Sequence, residues 1–528
     1  MGAVNLNPIF NAEELKVHLQ ELTQVQGPEQ HSEILNKLLS QLEAADFEAL
    51  AFPKAITMRK KLSEIEEQLK LPDGRFDTSE ALEPARTEWK KLTKQLEKMR
   101  LAEKHLLVIS VDETLKAALK HDWSICKNHD FIYLFNGAFW SELDKEVLQK
   151  FLGEAAQKLG VNEYSARFYQ FREKLFKQFL GTAYLPTPEG AKDSVLINLK
   201  NGTFEITPNG YKLRPFSSTD FLTYQLPFEF NPDAQAPQFQ TYLNKVLPDM
   251  ERQRVLAEYL GYIFVKHGTG SLKEEKALVL YGTGANGKSV FFEIVNALLG
   301  IDNVSSFSLQ SLTNENGYFR AKLANKLLNY ATEINGKLET DTFKQLVSGE
   351  PVEARLPYGQ PFILRQYAKM IFNCNELPRE VEHSNAFFRR FLIIPFDVTI
   401  PEAEQDKTLH TRIIDSELSG VFNWVLEGLN RLLEQQRFSK CDAAEKAVQE
   451  YRTQTDSVRM FLEENSLTAD PVKWKLLKEI FATYRSFCTE NGFHALNKTN
   501  FNKRLNAFGV QVDRKNIGMV VFLSSPND

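Results

Sequence analysis

Apolar residues recur every three or four positions in two stretches of the first hundred residues. The two series are Leu62, Ile65 and Leu69, followed by Trp89, Leu92, Leu96 and Met99. This spacing is typical of amphipathic helices, and the segment 71–77 (LPDGRFD) interrupts it with turn residues. We therefore predict a helical region over 1–105 that contains two antiparallel helices. This region is either a solvated helical hairpin with no catalytic or binding role or a collar through which subunits form oligomers.

Strand patterns follow this helical region. The run 106–112 (LLVISVD) is almost continuously apolar and predicts a buried strand. Apolar segments at 131–143 and 195–206 each contain an Asn-Gly pair, which is typical of the turn of a β-hairpin. The pattern predicts an α+β adaptor domain over 106–237 and a helical linker over 238–272.

A glycine-rich turn joins a strand pattern to a helix pattern in the middle of the chain. The strand pattern is KALVLYG (276–282), the turn is GTGANGKS (282–289), and the helix pattern ends at Gly300. Between a strand and a helix, the pattern GxxxxGK[ST] is typical of a phosphate-binding loop, because glycines let backbone N–H groups approach phosphate oxygens. The predicted ATP-binding residues are Gly282, Thr283, Gly284, Ala285, Asn286, Gly287, Lys288 and Ser289. We expect Lys288 to reach the β- and γ-phosphates and Ser289 to supply an oxygen to Mg²⁺.

Polar residues lie beside three later strand patterns. Glu333 ends KLLNYATEI, Asn375 ends KMIFNCN, and Arg389 and Arg390 precede FLIIPF. An acid at a strand end can hold the Mg²⁺ shell and polarise an attacking water, and an amide can orient that water. An arginine fixed near a subunit boundary could enter the neighbouring site as a finger.

Taken together, these motifs resemble superfamily 3 helicases of the AAA+ class, and most of all the phage and plasmid primase-helicase family. Four local matches carry the resemblance: GTGANGKS, KQLVSGEPVEARLPYGQPF (344–362), KMIFNCNELP and FFRRFLIIPF. Upstream segments and LSGVFNWVLEGLNRLL (418–433) also resemble the family, so the likeness covers about residues 110–528. It implies an α/β multidomain protein whose P-loop NTPase core, a three-layer α/β/α sandwich, spans 273–400. A helical lid over 401–465 follows.

The resemblance also implies a role for each matched residue. The implied catalytic residues are Lys288, Glu333, Asn375, Arg390 and Lys344, and the implied Mg²⁺ ligands are Ser289 and Glu333. Glu333 would be the catalytic acid, Asn375 the sensor, and Arg390 the finger that acts on the neighbouring subunit, with Arg389 the weaker candidate. Lys344 would be a further basic residue that can reach the nucleotide of the adjacent subunit. Relatives often have two adjacent acids where Thr332 precedes Glu333 in this chain.

A hairpin is predicted at 352–364, with Pro357, Tyr358 and Gly359 at its tip. The resemblance places this hairpin in a central channel. There Tyr358 would contact single-stranded DNA by stacking, and Arg355 would be the nearby charge. The alternative is that Tyr358 is a packing residue of the hairpin.

The end of the chain is basic. Residues 471–528 contain nine Lys or Arg and four Asp or Glu, a balance of +5 within a net charge of −5, so the rest carries −10. Two helix patterns and a hairpin pattern predict a winged-helix DNA-binding domain over 466–528. Its predicted DNA-contacting residues are Lys498, Lys503, Arg504, Arg514 and Lys515. The alternative is a small protein-docking domain with a solvated basic face.

Composition narrows the class of protein. A chain of 528 residues with 43% hydrophobic and 25% charged residues is typical of a folded protein, and at about 150 residues per domain it suggests three or four domains. No apolar run of membrane-spanning length and no signal-peptide pattern occurs, so we predict a cytoplasmic protein without membrane contact. Four widely spaced cysteines form neither a disulfide framework nor a zinc site.

The sequence thus predicts a ring-forming DNA helicase that uses ATP and Mg²⁺ and moves along single-stranded DNA. It would be a homo-oligomer, and by its resemblance a hexamer, that acts in the replication of a phage, plasmid or other mobile element. Two alternatives remain: a replication initiator that binds and melts origin DNA, and a bifunctional primase-helicase. The sequence contains no convincing acidic pair or zinc motif for a primase.

Overall fold

The computed structural model describes residues 28–71, 74–77, 79–121, 124–128, 131–185, 194–207, 210–267, 272–332, 334, 339–378, 382–493 and 495–525. They form a mixed α/β structure with two compact units. The smaller unit contains the described residues between 24 and 189 together with 216–223, and the larger one contains those of 190–215 and 224–528.

The smaller unit is a group of helices around a short antiparallel sheet. Its elements are α1 (His31–Gln41), α2 (Phe47–Ala51), α3 (Pro53–Leu69), α4 (Glu83–Glu97), α5 (Glu103–Lys120), β1 (Ile125–Asn128), β2 (Phe131–Phe135), β3 (Trp140–Glu142), α6 (Lys145–Leu159), α7 (Glu163–Arg167) and α8 (Tyr169–Thr182). The sheet order is β1-β2-β3. Strands β2 and β3 confirm the hairpin predicted at 131–143, because Phe135 pairs with Trp140 across its loop.

The two predicted antiparallel helices are α3 and α4. They pack through a small separate core in which Ile65 and Leu69 meet Leu92. The strand predicted at 106–112 is wrong, because these residues belong to α5, which also continues across the predicted boundary at residue 105. An apolar run fits a buried helix as well as a buried strand. The buried residues Val111, Thr114 and Ala118 of α5 have helical spacing.

The larger unit begins with a three-stranded antiparallel sheet and two helices. These elements are β4 (Val195–Leu199), β5 (Gly202–Thr207), β6 (Gly210–Arg214), α9 (Pro237–Val246) and α10 (Met250–Tyr262). Pairing of Leu199 with Gly202 confirms the hairpin predicted at 195–206. The linker predicted as helical contains α9 and α10.

A five-stranded parallel sheet forms the centre of this unit. Its segment of the chain contains β7 (Ala277–Tyr281), α11 (Lys288–Leu299), β8 (Val304–Ser305), α12 (Leu309–Thr313), α13 (Tyr318–Ala321), β9 (Leu328–Ala331), α14 (Thr340–Ser348), β10 (Val352–Ala354), β11 (Phe362–Leu364), β12 (Lys369–Cys374), α15 (Asn385–Phe388) and β13 (Phe391–Pro395). The strand order is β13-β7-β12-β9-β8, and β10 pairs with β11 in a separate hairpin. Because β7 and β12 are parallel neighbours, the residues that follow them lie at one edge of the sheet.

Helices and a small sheet complete the chain. The elements are α16 (Leu409–Gln435), α17 (Asp442–Gln454), α18 (Ser457–Glu464), β14 (Thr468–Ala469), β15 (Lys475–Leu476), α19 (Leu477–Glu490), α20 (Lys498–Ala507), β16 (Val512–Lys515), β17 (Gly518–Val521) and β18 (Leu523–Ser524). The predicted helix, helix and hairpin of the tail correspond to α19, α20 and β16–β17. Their core, which includes Phe461, Tyr484 and Phe501, is enclosed by α18, α19 and α20.

Helix α16 is joined closely to α9 and α10. The Glu417 carboxylate accepts hydrogen bonds from the backbone N–H groups of Gln238 and Phe239, at 3.0 and 2.9 Å, and so caps the start of α9. A Cβ atom at Gly428 would lie 2.3 Å from the carbonyl carbon of Ala257, so the backbones of α16 and α10 touch there. No described helix is both long and apolar enough to cross a membrane.

Candidate nucleotide site

The loop between β7 and α11 has the turned backbone that the sequence predicts. Gly284, Ala285 and Gly287 have φ values of 116°, 49° and 84°. At Gly287 a side chain is excluded twice: the φ is positive, and a Cβ would lie 2.6 Å from Val246 Cγ1. The Tyr242 hydroxyl donates a hydrogen bond to the Gly287 carbonyl at 2.8 Å and so fixes the end of the loop.

The other side of the loop is attached to the chain that follows β13. Asn286 Nδ2 donates to the carbonyl of Phe396 at 3.2 Å, and the backbone N–H of Ile400 donates to Ala285 at 2.7 Å. Asn286 is 4% exposed, so its amide is a structural part of the loop. The loop is thus held between α9 and the segment 396–400.

The ammonium of Lys288 is buried in the middle of this arrangement. It donates to the Gly282 carbonyl at 2.6 Å, to Asn286 Oδ1 at 3.1 Å and to Asn375 Oδ1 at 3.3 Å. Burial lowers the pKa of this ammonium below its ordinary value. Asn375 follows β12, so the structure brings together two of the predicted site residues, from the loop and from the neighbouring strand.

A cleft of about 790 Å³ opens over this ammonium. Residues 284–289 line one wall, and Thr332, Asn373 and Asn375 from the ends of strands line its floor. Of the predicted loop residues, Gly282 lies beneath the cleft as a partner of Lys288, and Thr283 is exposed at the start of the loop. Helix α9 and the segment 400–412 form the remaining walls.

The predicted metal ligands are only partly described. Ser289 is exposed in the first turn of α11 and lines the cleft. Glu333 lies outside the described residues. Its predicted roles as catalytic acid and Mg²⁺ ligand therefore stay predictions.

The two adjacent arginines have different surroundings. Arg390 is 7% exposed, and its guanidinium donates to Ser348 Oγ at 2.8 and 3.1 Å. Arg389 is exposed and lies 2.8 Å from Glu275 Oε2, whereas Arg390 lies 3.5 Å from the same oxygen. The role of Arg390 as a finger stays a prediction, and in this arrangement Arg389 has the more accessible guanidinium.

Lys344 is engaged in ion pairs within the chain. Its ammonium lies 2.7 Å from Asp341 and 2.9 Å from Glu382. Hydrogen bonds from Lys344 to Asp341 and Glu382 raise its pKa. A contact with the nucleotide of a neighbouring subunit would require this cation to leave two carboxylates.

The hairpin β10–β11 presents Tyr358 to solvent. The side chain is fully exposed and its φ is 62°, so Tyr358 does not pack against the hairpin. Arg355 donates to the Tyr318 hydroxyl at 2.9 Å and so braces the hairpin. Sequence reasoning missed Arg320, a buried residue that donates to the Glu353 carbonyl at 2.9 Å.

Most predicted DNA-contacting residues of the tail are exposed. Lys498, Lys503, Arg514 and Lys515 face solvent. Arg504 differs: its Nε donates to Asp456 Oδ2 at 2.7 Å, and its guanidinium lies over the ring of Phe508. The predicted DNA contact of Arg504 requires a guanidinium that is free to reach DNA. In the structure this guanidinium is paired with Asp456.

Comparisons with known proteins match the chain in two adjoining parts. A family model described as D5 N terminal like matches residues 112–248. A family of unknown function, DUF5906, matches residues 280–390, which include the loop and the two arginines. A putative helicase of Acanthamoeba polyphaga mimivirus is 25% identical over 238 residues, or 43% of this chain and 24% of the relative. These matches agree with the resemblance to phage and plasmid primase-helicases that the sequence motifs carry.

The chain spans about a quarter of the length of the curated relative that it matches. Apo structures of the C-terminal region of NrS-1 align with 77–78% of the chain and 97–98% of their own length. Their sequence identity is 12–13% and their TM-scores are 0.43–0.45.

Proposed function

We propose that the chain is an ATP-dependent DNA helicase that acts in the replication of a phage, plasmid or other mobile element. It would act as a homo-hexameric ring that moves along single-stranded DNA and requires Mg²⁺. The observation that carries this proposal is the buried ammonium of Lys288, held between the glycine-rich loop and Asn375. The match to a putative helicase supports the choice among P-loop NTPases.

The charge around Lys288 fits a nucleotide. Its three described hydrogen-bond partners are neutral oxygens, so within the described residues no carboxylate compensates the buried positive charge. An uncompensated buried charge is costly. A phosphate anion would supply the compensation, and the N-terminus of α11 favours the same anion. A cleft of about 790 Å³ is large enough for a nucleotide.

The residues of this chain can then be given roles. Lys288 and the backbone N–H groups of 284–289 would hold the β- and γ-phosphates. Ser289 Oγ and Glu333 would hold Mg²⁺, which neutralises charge on those phosphates when it is bound. Asn375, which lines the cleft beside Lys288, would orient the attacking water. Arg389 or Arg390 would reach the phosphates of the neighbouring subunit.

DNA would be contacted by the hairpin β10–β11. An exposed aromatic ring at its tip can stack on any base, and stacking is worth about 1–3 kcal/mol per base. Tyr358 has this exposure, and Arg355 and Arg320 brace the strands behind it. A change in the nucleotide site would therefore move a stiff hairpin rather than a loose loop.

The test is ATP hydrolysis and strand separation by the full chain and its Lys288→Ala variant. Loss of the ammonium should lower both activities by about a hundredfold or more, since a buried phosphate contact is lost. Lys446, which is exposed on α17, provides the control: Lys446→Ala should keep both activities. A wild type that hydrolyses ATP but unwinds no duplex, whichever polarity of single strand is offered for loading, would refute the helicase proposal and leave an ATPase.

A further inference from the structure

The carboxylate of Glu275 lies among three cations, just before β7 begins. Its Oε2 is 2.8 Å from Arg389 Nη2 and 3.5 Å from Arg390 Nη2, and its Oε1 is 3.1 Å from Lys273 Nζ. Burial would raise the pKa of this carboxyl, but the three cations hold that pKa below its ordinary value. Glu275 is therefore an ionised group, and the cluster around it keeps a positive balance.

The backbone of Arg389 is held by the same short segment. Lys276 Nζ donates a hydrogen bond to the Arg389 carbonyl at 2.6 Å, and the backbone N–H of Ala277 donates to the Arg390 carbonyl at 2.8 Å. These contacts lie where β7 and β13 begin their parallel pairing. Glu275 and Lys276 thus hold Arg389 at both its guanidinium and its carbonyl.

The two adjacent arginines differ in what their guanidinium groups can reach. Arg390 is 7% exposed and donates to Ser348 Oγ and to the Ala386 carbonyl. The Arg389 side chain is 56% exposed, and its Nη2 group faces Glu275. A guanidinium has five N–H donors, so an accessible one can keep a carboxylate partner and still donate to a phosphate. Arg389 has this combination of access and restraint.

An arginine that stabilises charge on a neighbour's phosphate must be held in one orientation. A long side chain loses conformational freedom when it is fixed, and a misplacement of about 1 Å near the reacting atoms can lower a rate about a hundredfold. We propose that Glu275 is a positioning residue for Arg389, and that Arg389 is the arginine that reaches the nucleotide of the neighbouring subunit. The inference rests on the proposed function, because such an arginine needs a ring of subunits.

The first experiment measures steady-state ATP hydrolysis and ATP affinity for Glu275→Gln in the full chain. The kcat should fall about ten- to a hundredfold through lost orientation. The ATP affinity should stay that of the wild type, because Glu275 lies at the end of β7 opposite the loop 282–289. Arg389→Ala should lower kcat about a thousandfold. Glu463→Gln is the matched control and should keep the wild-type kcat, since Glu463 on α18 pairs with Arg459 at the same 2.8 Å.

Mixed rings distinguish an effect on the neighbour from damage within the subunit. Glu275→Gln is co-expressed with Lys288→Ala under a second affinity tag, and rings that carry both tags are purified. Each Lys288→Ala subunit has lost its own phosphate contact but offers a restrained Arg389 to the next subunit. Hydrolysis per Glu275→Gln subunit should therefore rise about fivefold or more, because about half of its clefts then face an intact arginine. Rings of Glu275→Gln with Arg389→Ala should show no such gain.

Several results overturn the proposal. A wild-type kcat in Glu275→Gln removes the positioning role, and a wild-type kcat in Arg389→Ala removes the arginine that it positions. Chains that do not assemble together, or mixed rings with Lys288→Ala that show no gain, contradict an action on the neighbour. A loss of ATP affinity in Glu275→Gln as large as its loss of kcat would indicate a structural role instead.

The two proposals can fail separately. A wild type that hydrolyses ATP and unwinds DNA, with Glu275→Gln indistinguishable from it, keeps the proposed function and loses the positioning role. A wild type that hydrolyses ATP and shows the mixed-ring gain, but unwinds no duplex, keeps the positioning role and loses the helicase. A wild type without ATP hydrolysis refutes both.

Discussion

At the scale of single residues, Lys288 determines the chemistry that the cleft can perform. Within the described part of the chain, its three hydrogen bonds go to neutral oxygens. A phosphate must replace at least one of them, and the longest, 3.3 Å to Asn375 Oδ1, is the easiest to exchange. Binding of nucleotide would thus release the amide of Asn375 for a second task.

If a phosphate replaces Asn375 as a hydrogen-bond partner of Lys288, two substitutions of Asn375 should have different effects. Asn375→Asp places a carboxylate 3.3 Å from the ammonium, where it would pair with Lys288 and repel a phosphate. ATP affinity should fall about tenfold or more, since about 1.4 kcal/mol changes the dissociation constant tenfold. Asn375→Ala should lower the rate of hydrolysis with a smaller effect on affinity. Titration with a fluorescent ATP analogue and steady-state kinetics separate the two effects, and equal affinity of Asn375→Asp and wild type would contradict the exchange.

A second buried lysine predicts how stability depends on pH. Lys369 is 6% exposed at the start of β12, 3.0 Å from His267 Nδ1 and 4.0 Å from the ring centre of Tyr262. Burial holds the pKa of this ammonium well below its ordinary value of 10.5. Below pH 10.5 the unfolded chain then binds more protons than the folded chain, so the free energy of unfolding rises with pH through this window.

Lys369→Met removes this titrating group and keeps most of its volume. Near neutral pH the variant should melt at a higher temperature than the wild type, because it buries no ammonium. The difference should shrink as the pH rises toward 10. Melting curves from pH 7 to 10 measure it, and a difference that is independent of pH would show that Lys369 keeps its ordinary pKa.

At the scale of elements, Tyr358 in the hairpin β10–β11 is a position where a substitution should change function without lowering stability. Tyr358 has a φ of 62°, a conformation that glycine adopts without cost. Tyr358→Gly should therefore leave the free energy of unfolding unchanged or raise it by about 1 kcal/mol at most, since relief of strain is opposed by the greater freedom of the unfolded chain. It should abolish most DNA stimulation of ATP hydrolysis. Tyr358→Phe keeps the ring and should keep the stimulation; its loss there would argue against stacking.

The crossing of α10 and α16 predicts a large effect of one methyl group. In Gly428→Ala the new Cβ would lie 2.3 Å from the backbone of Ala257, and the helices must separate. The free energy of unfolding should fall by about 1–3 kcal/mol. Gly181, which is also helical but has open space within 4 Å of the position that a Cβ would take, is the control. Gly181→Ala should stabilise the chain by about 0.5–1 kcal/mol, and urea unfolding compares the two variants.

Sequence patterns predicted the elements whose identity is local. The loop 282–289, its flanking strand and helix, and the hairpins at 131–143 and 195–206 all have local signals of turn residues and periodicity. The run 106–112 was assigned wrongly because it contains few polar residues to reveal a helical period.

Partners distant in sequence could not be predicted. Tyr242 holds the Gly287 carbonyl from 45 residues away, and Asp456 holds Arg504 from 48 residues away. Arg390 likewise meets Ser348 across 42 residues. A basic residue has the same pattern in a sequence whether it is accessible or already paired, and only the fold distinguishes the two.

At the scale of the whole molecule, the tail has a core of its own. The buried members of that core lie between Val458 and Leu523. The ion pair of Asp456 with Arg504 joins two residues of the same segment. A fragment comprising 456–528 should fold cooperatively, although a domain of this size has modest stability. Thermal melting followed by circular dichroism tests this, and a fragment without a cooperative transition would show that the core depends on the rest of the chain.

The close crossing of α10 and α16 also has a mechanical consequence. The hydroxyl of Tyr259, in α10, lies 2.7 Å from the Met370 carbonyl of β12 and 3.1 Å from the Lys276 carbonyl that precedes β7. With backbone against backbone at Gly428, no layer of side chains can absorb a relative slip of the two helices. A displacement of α16 is therefore transmitted through α10 to β7 and β12, the strands that precede Lys288 and Asn375 in the chain, so the crossing couples the two helices rigidly.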